Sequence, residues 1–388
     1  MNLEGIIFDL GVIIVGAAAL GTLFLYIKQP ILIAYIAAGF LIGPHGFAFI
    51  ENVNRIENIA HFGVILLLFL VGLNLQPLKL FHLFRKTIFI TFGTSMIFGV
   101  LSFVFALLLQ FDIYSALLFG SAMMFSSTVI SLKLVPTTTL HHKRTGEIMT
   151  GVLLLQDMMA ILVILFVTGK KNEYVLLTFG ILALKLLILS FLAFVGVRYI
   201  VVPLLRKFDI VQEYTFITTL GWCLLWAETA QILGLSYELG AFIAGLSIAS
   251  CRAALVIAEH LKPLREFFLI LFFFGVGAGL NFGIDLWLIL YAVVFGIILV
   301  FLKASVFRFA FKKSGESMKL SKELSVRLSQ SSEFSLLVVF AALSTGILSM
   351  ERAMVVQVAT ITTFIISTYW TVLHYPTPIS MSAPLRKD

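Results

Sequence analysis

The sequence predicts an all-α polytopic membrane protein of about 13 transmembrane helices in two inverted repeats, and three observations carry that expectation. Of 388 residues, 60% are hydrophobic and only 12% are charged. Apolar runs of roughly twenty residues, the length that crosses a bilayer, follow one another with short polar loops between them. Segments of the first half also return in the second half at a nearly constant spacing.

Soluble domains carry about 45–50% apolar and about 25% charged residues. The composition therefore excludes a water-soluble enzyme, and no nucleic-acid partner is expected despite a net charge of +7. The 38 phenylalanines suit helix surface that faces lipid. Cys223 and Cys251 are too few for a disulfide framework and make no metal spacing. The apolar start near Gly5 lacks a basic leader and a small-residue cleavage site, so it reads as a retained first span.

The predicted spans lie near 5–27, 30–48, 57–76, 87–109, 113–135, 145–168, 174–202, 213–234, 236–251, 260–281, 285–311, 321–348 and 352–374. The second and ninth are short and Gly-rich. Basic residues then assign the sides. One set of loops and flanks holds 21 of the 27 Lys and Arg, among them Lys79, Arg144, Arg206, Lys312, Lys319 and Arg327. The opposite set holds only Arg55, Lys170, Lys171 and Arg352, with Lys185 and Lys303 left inside spans. The first set is expected in the cytoplasm, with the N-terminus outside and the C-terminus inside. An odd number of spans requires the same arrangement.

Three matches mark the repeat. Ala38-Gly39 recurs as Ala244-Gly245 at a shift of 206, and the VGLNL of Val71–Leu75 as the AGLNF of Ala278–Phe282 at 207. Ser126-Ser127-Thr128 recurs as Ser331-Ser332-Glu333 at 205. Residues 5–168 and 213–374 are thus the expected repeats, with 174–202 as a connecting helix. A displacement of seven spans is odd, which inverts one half relative to the other. Inverted repeats are a hallmark of secondary transporters, whose sites lie near the midplane.

Asp157, in GVLLLQDMMAILVI, is a carboxylate in the middle of the sixth span. A charge at the bilayer centre costs roughly 2.5–3.5 kcal/mol even on the lenient insertion scale. It reads as a shared seat for a proton and a monovalent cation, or else as a carboxylate retained for packing specificity. Gln156 beside it can bind a cation through its amide oxygen, or join two helices. FSSTVIS, with Ser126, Ser127 and Thr128, interrupts the fifth span, and QSSEFSLL, with Ser331, Ser332 and Glu333, interrupts the twelfth. Short hydroxyl residues can satisfy backbone groups freed by a break in each helix; ordinary helix contacts through small residues are the other reading. Glu333 either balances exposed positive helix ends or titrates as a second group. Lys303, in VFLKASVFRF, either forms an ion pair with Asp157 in the empty site or snorkels to the interface. Lys185 reads as a snorkelling lysine, and Glu228 as a contact between halves. The GVGAG of Gly275–Gly279 lacks a preceding strand and reads as close helix packing. His141-His142 reads as part of a solvated basic loop rather than a pH sensor.

Taken in order, AGFLIGPHGF, LLFLVGLNL, SSTVISL, LLLQDMMAI, ELGAFIAGLSIAS, LFFFGVGAGLNF and SSEFSLLVVF resemble the monovalent cation:proton antiporter-2 family, in particular its Kef-type potassium/proton members. The resemblance spans about residues 30 to 345. It implies a sodium/proton antiporter-like fold, with a core domain holding two crossed, broken helices and a fixed dimerisation domain, hence a homodimer. It places the family's ion-binding aspartate on Asp157 after the Kef-type glutamine at Gln156, the core lysine on Lys303, and the breaks on Ser126–Thr128 and Ser331–Glu333. The implied activity is electroneutral exchange of potassium or sodium for protons by alternating access in the inner membrane, with no cofactor. A gated cation channel and a non-transporting ion sensor are the alternatives. Kef-type proteins generally continue into a cytosolic nucleotide-binding domain, whereas this sequence stops shortly after the last span: either regulation by nucleotide or glutathione is absent or the sequence is truncated, and a separate regulatory subunit is a candidate partner.

Overall fold

The computed structural model describes residues 3–27, 29, 31–50, 62–73 except 64, 67 and 71, 77–136, 144–168, 175–208, 212–235, 237–249, 251, 257, 261–280 and 286–377. Arg55, Lys170, Lys171, His141, His142 and parts of both VGLNL and AGLNF lie outside them. Among the described residues the regular structure is helical, without a β-strand.

α1 (Leu3–Tyr26) and α2 (Ile31–Ile42) open the chain. α3 (Pro77–Leu108), α4 (Ile113–Met123), α5 (Thr128–Lys133) and α6 (Arg144–Thr168) follow. α7 (Val175–Gly196) runs through a π-helical turn at Val197–Val201 into α8 (Val202–Lys207). Next come α9 (Gln212–Ile232), α10 (Tyr237–Ala249) and α11 (Lys262–Ala278). α12 (Leu286–Lys313), α13 (Met318–Arg327), α14 (Glu333–Ser344) and α15 (Met350–His374) complete the order.

Six stretches among the described residues are long and apolar enough to cross a bilayer: Ile7–Tyr26, Thr87–Leu108, Arg144–Ile164, Leu184–Lys207, Leu286–Lys313 and Met350–His374. Five shorter apolar helices accompany them. The long helices carry much of the exposed apolar surface, including Phe89, Leu187, Leu286 and Phe309. That is the surface expected to face lipid chains.

The chain divides into two compact units. One comprises Met1–Val15, Phe49–Leu80 and Thr168–Gly275. Here α10 packs against α9 and α7. Its glycines permit the approach: a Cβ on Gly240 would lie 2.2 Å from the Trp226 carbonyl oxygen, and one on Gly245 2.0 Å from that of Phe69. Small residues at such crossings let backbones touch where no hydrophobic force draws helices together. Lys185 does not simply reach for an interface. Its Nζ donates to the Leu233 carbonyl at 2.6 Å, just past the end of α9, where helix carbonyls are otherwise short of donors. Glu228 is exposed.

The second unit comprises Gly16–Ala48, Phe81–Val167 and Val276–Asp388. α15 is its centre, packed against α12, α13, α14 and α4. At the α12 crossing, a Cβ on Gly296 would stand 2.8 Å from the Ala359 carbonyl oxygen. Beside it, Phe105 stacks on Phe295 with ring centroids 4.0 Å apart. Charged clasps close both ends of the bundle. Asp112 caps α4, accepting from the Ser115 hydroxyl at 2.8 Å and its amide at 3.2 Å, and pairs with Arg352 at the start of α15. Those Ser115 bonds, with the backbone and Arg352, hold the Asp112 carboxyl below the usual carboxylate range. Arg144, opening α6, pairs at 2.6 Å with Glu316 in the turn between α12 and α13.

Gly296→Val should force α12 away from α15 and lower stability by about 1–3 kcal/mol, the usual cost of overpacking. Gly221→Ala, where a Cβ meets nothing within 4 Å, should leave the thermal unfolding midpoint unchanged. Equal midpoints for the two variants would contradict the close-approach account.

Candidate functional site

Both interrupted helices lie in the second unit. α4 ends at Met123 and α5 starts at Thr128; α13 ends at Arg327 and α14 starts at Glu333. Local chemistry explains where each chain restarts. The Ser127 hydroxyl accepts the Ile130 amide at 3.0 Å. Ser332 is the N-cap of α14, accepting from Phe334 at 3.1 Å and exchanging bonds with Ser335 in a capping box. Side chains thereby satisfy helix-start amides at a depth where water is scarce.

The two breaks cross and bind one another. Ser126 Oγ donates to the Leu328 carbonyl at 2.8 Å, and Ser131 Oγ to that of Arg327 at 3.0 Å. From the other side, Ser335 Oγ donates to the Ala122 carbonyl at 2.5 Å, and Ser331 Oγ lies 3.6 Å from Met123 Sδ. Gln330 Nε2 donates to Ser131 Oγ at 2.6 Å.

α6 brings two side chains to this crossing. Asp157 is buried, 1% exposed, and its two oxygens accept the Thr128 hydroxyl at 3.0 and 2.9 Å. Among the described residues no other side-chain or backbone donor reaches it. Thr128 is also the first residue of α5, a helix end that favours negative charge. Gln156 accepts the Ser126 amide through Oε1 at 3.0 Å and donates through Nε2 to Ser95 Oγ at 3.1 Å. It fastens the break to α6 and α3 while adding no charge.

Lys303 departs from expectation. It is fully buried, and its Nζ donates to the Phe125 carbonyl at 2.5 Å and the Gln330 carbonyl at 3.4 Å, not to Asp157. It neither snorkels nor forms the expected ion pair here. The physical reason is that two broken helices leave carbonyl ends with partial negative charge, and a cation between them satisfies both. The Phe98 ring, 5.3 Å from Nζ, closes the pocket. Phe125 and Gln330 stand 205 residues apart, the spacing of the two serine motifs. Glu333 is buried at the start of α14, within electrostatic reach of Asp157. Ser331 presents its amide to Thr363 Oγ1 at 2.9 Å.

Several participants escaped sequence reasoning. Ser95, Thr363, Gln330 and Ser367, whose hydroxyl donates to Gln330 Oε1 at 2.8 Å, all brace the crossing. A signal was present: buried hydroxyls recur at helical spacing on α15, at Thr360, Thr363, Ser367 and Thr371. Arg327, counted among the basic flanks, is instead buried at the end of α13.

Lys303→Met removes the donor from two buried carbonyls, each worth about 1–3 kcal/mol when left unsatisfied. The thermal midpoint should fall accordingly, while Lys303→Gln, which keeps an N–H donor, should retain part of the loss. Equal destabilisation by both would show that charge, not donation, is what the crossing needs.

Known proteins resemble this chain in sequence and in fold. The family profile described as sodium/hydrogen exchanger, transmembrane, matches residues 12–373. "Iron transporter MagA" of Paramagnetospirillum magneticum is 25% identical over 367 residues, covering 92% of this chain and 83% of that protein. "K(+) efflux antiporter 5" of Arabidopsis thaliana is 29% identical over 342 residues, 85% of this chain and 59% of the plant protein. The sodium proton antiporter MjNhaP1 of Methanocaldococcus jannaschii has the same fold, with a TM-score of 0.66 at 16% identity over 100% of this chain and 99% of that one. With the profile matched across nearly its whole length, the chain belongs to the sodium/hydrogen exchanger transmembrane family.

Proposed function

We propose that the chain is a secondary antiporter that exchanges a monovalent cation, potassium or sodium, for protons, with Asp157 as their shared seat. The observation that carries this reading is a buried carboxylate held by one hydroxyl where two broken helices cross. A carboxylate, the hydroxyl of Thr128 and the neighbouring amide of Gln156 form a hard-oxygen set suited to a monovalent cation. Ser126 and Ser127 shape the break around it. Proton and cation compete for one carboxylate, so the loaded site carries the same charge either way and exchange is electroneutral. Glu333, with Ser331 and Ser332, balances the start of α14, and Lys303 balances the carbonyl ends; neither changes charge during the cycle.

The inverted-repeat reading draws support from bonds that recur at the same spacing. Ile130 to Ser127 in the first break answers to Ser335 and Ser332 in the second. Ser126 held by Gln156 answers to Ser331 held by Thr363. Repeats at 5–168 and 213–374, joined through 174–202, would present the site alternately to each side. The protein then lies in the inner membrane with its N-terminus outside and C-terminus cytoplasmic, and works as a homodimer.

The test is reconstitution into vesicles with a trapped pH dye. Pulses of potassium or sodium should raise internal pH at a saturable rate that is the same at zero and at an imposed potential. Iron, the metal in the name of the Paramagnetospirillum relative, should be inert when supplied as iron(II). Non-saturating flux independent of the proton gradient would mean a channel, and cation binding without flux a sensor. A rate that follows voltage would overturn the one-carboxylate stoichiometry.

A further inference from the structure

We propose that Arg327 is a positioning residue that latches the segment following α15 to the helix crossing and so sets how firmly the Asp157 seat holds its cation. This rests on the reading of Asp157 given above. Arg327 closes α13 directly before the second break, and it is 1% exposed. Its three donor edges go to three different places. Nε donates to Glu323 Oε1 at 3.0 Å, one turn back on α13. Nη1 donates to the Leu134 carbonyl at 2.9 Å, and Nη2 to the Pro376 carbonyl at 2.9 Å. The Tyr375 ring lies 5.8 Å from the guanidinium carbon.

The Leu134 bond is the one that reaches the seat. Leu134 follows α5, a helix of six residues whose first, Thr128, holds both oxygens of Asp157. Arg327 grips α5 a second time, because its own carbonyl accepts the Ser131 hydroxyl. A rod this short passes a displacement at one end to the other. The remaining edge, on Pro376, belongs to neither broken helix. It joins the chain just after α15 to that rod through one rigid, planar group. An ammonium cannot replace it, since Lys presents a point charge rather than a fork of five N–H donors.

A merely structural arginine predicts something different from a latch. Loss of a structural residue reduces the amount of folded protein and the maximal rate. Loss of a latch changes the affinity of the folded protein for its cation. Three full-length variants separate these: Arg327→Lys, Arg327→Gln, and insertion of two glycines between His374 and Tyr375, which moves Pro376 and leaves Arg327 untouched. Two readouts apply to each, at constant ionic strength. One is the KCl or NaCl concentration giving half-maximal protection against thermal unfolding; the other is the KM and maximal rate of cation-driven proton movement in vesicles.

Couplings relayed through a packed network change by about 0.5–2 kcal/mol, which is about two- to thirtyfold in affinity. Arg327→Gln and the insertion should each raise KM and the half-protecting concentration within that range, with the maximal rate per folded protein little changed and Arg327→Lys intermediate. The proposal is overturned if the insertion leaves both values at those of the parent. It is equally overturned if Arg327→Gln lowers only the yield or maximal rate. Should Arg327→Gln fail to fold, the insertion alone decides. A parent that moves no protons but is still protected by cation would sink the antiport reading and leave the latch open to the protection readout.

Discussion

Two helices that break inside a bilayer must find partners for the backbone groups they free, and the rest of the structure depends on meeting that demand. Each unsatisfied group costs several kcal/mol in hydrocarbon, and side chains meet that demand at the crossing. Serines do most of it, bonding across from Ser126 to Leu328, Ser131 to Arg327 and Ser335 to Ala122. Lys303 supplies a charge where carbonyls collect, and Asp157 and Glu333 stand toward helix starts. From α15, Thr363 and Ser367 brace the second break through Ser331, Ser329 and Gln330.

This arrangement explains how one ionisable side chain can be tolerated and still be useful. Asp157 is fixed by Thr128 alone among the described donors, while its neighbour Gln156 is fixed at both ends. The rigid element is thus the amide, and the responsive one is the carboxylate. Lys303 is bonded to carbonyls and not to Asp157, so the competition we propose at Asp157 would have no fixed cation as a third contestant. Lys303 instead joins the two breaks through the Phe125 and Gln330 carbonyls.

Much of this was legible in the sequence, for reasons that can be named. Asp157, Gln156 and the two serine motifs stood out because polar residues in apolar runs are costly and hence informative. The interruptions at Phe125–Ser127 and around Ser331 followed from short hydroxyl residues at equivalent positions in the two halves. The partners of Lys303 were not legible, because backbone carbonyls leave no mark on a sequence; only an opposite charge does, and Asp157 offered one inside a span. Arg327 was misjudged for a related reason. The positive-inside count treats every arginine near a span end as solvated, and burial of this one depends on carbonyls of Leu134 and Pro376 that are 193 and 49 residues away. The short elements were legible as well: α2 and α10 correspond to the short, Gly-rich second and ninth runs, and α4 and α14 end or begin at the two serine breaks.

The central claim is that proton and cation exclude one another at Asp157, and proton release on cation binding tests it most directly. Purified protein in weakly buffered detergent, poised where the seat is protonated, receives potassium or sodium while a pH dye records the solution. The account predicts one proton released for each cation bound by the parent, and none by a folded Asp157→Asn variant. Equal release by both proteins would contradict it and move the exchange to another group in the chain.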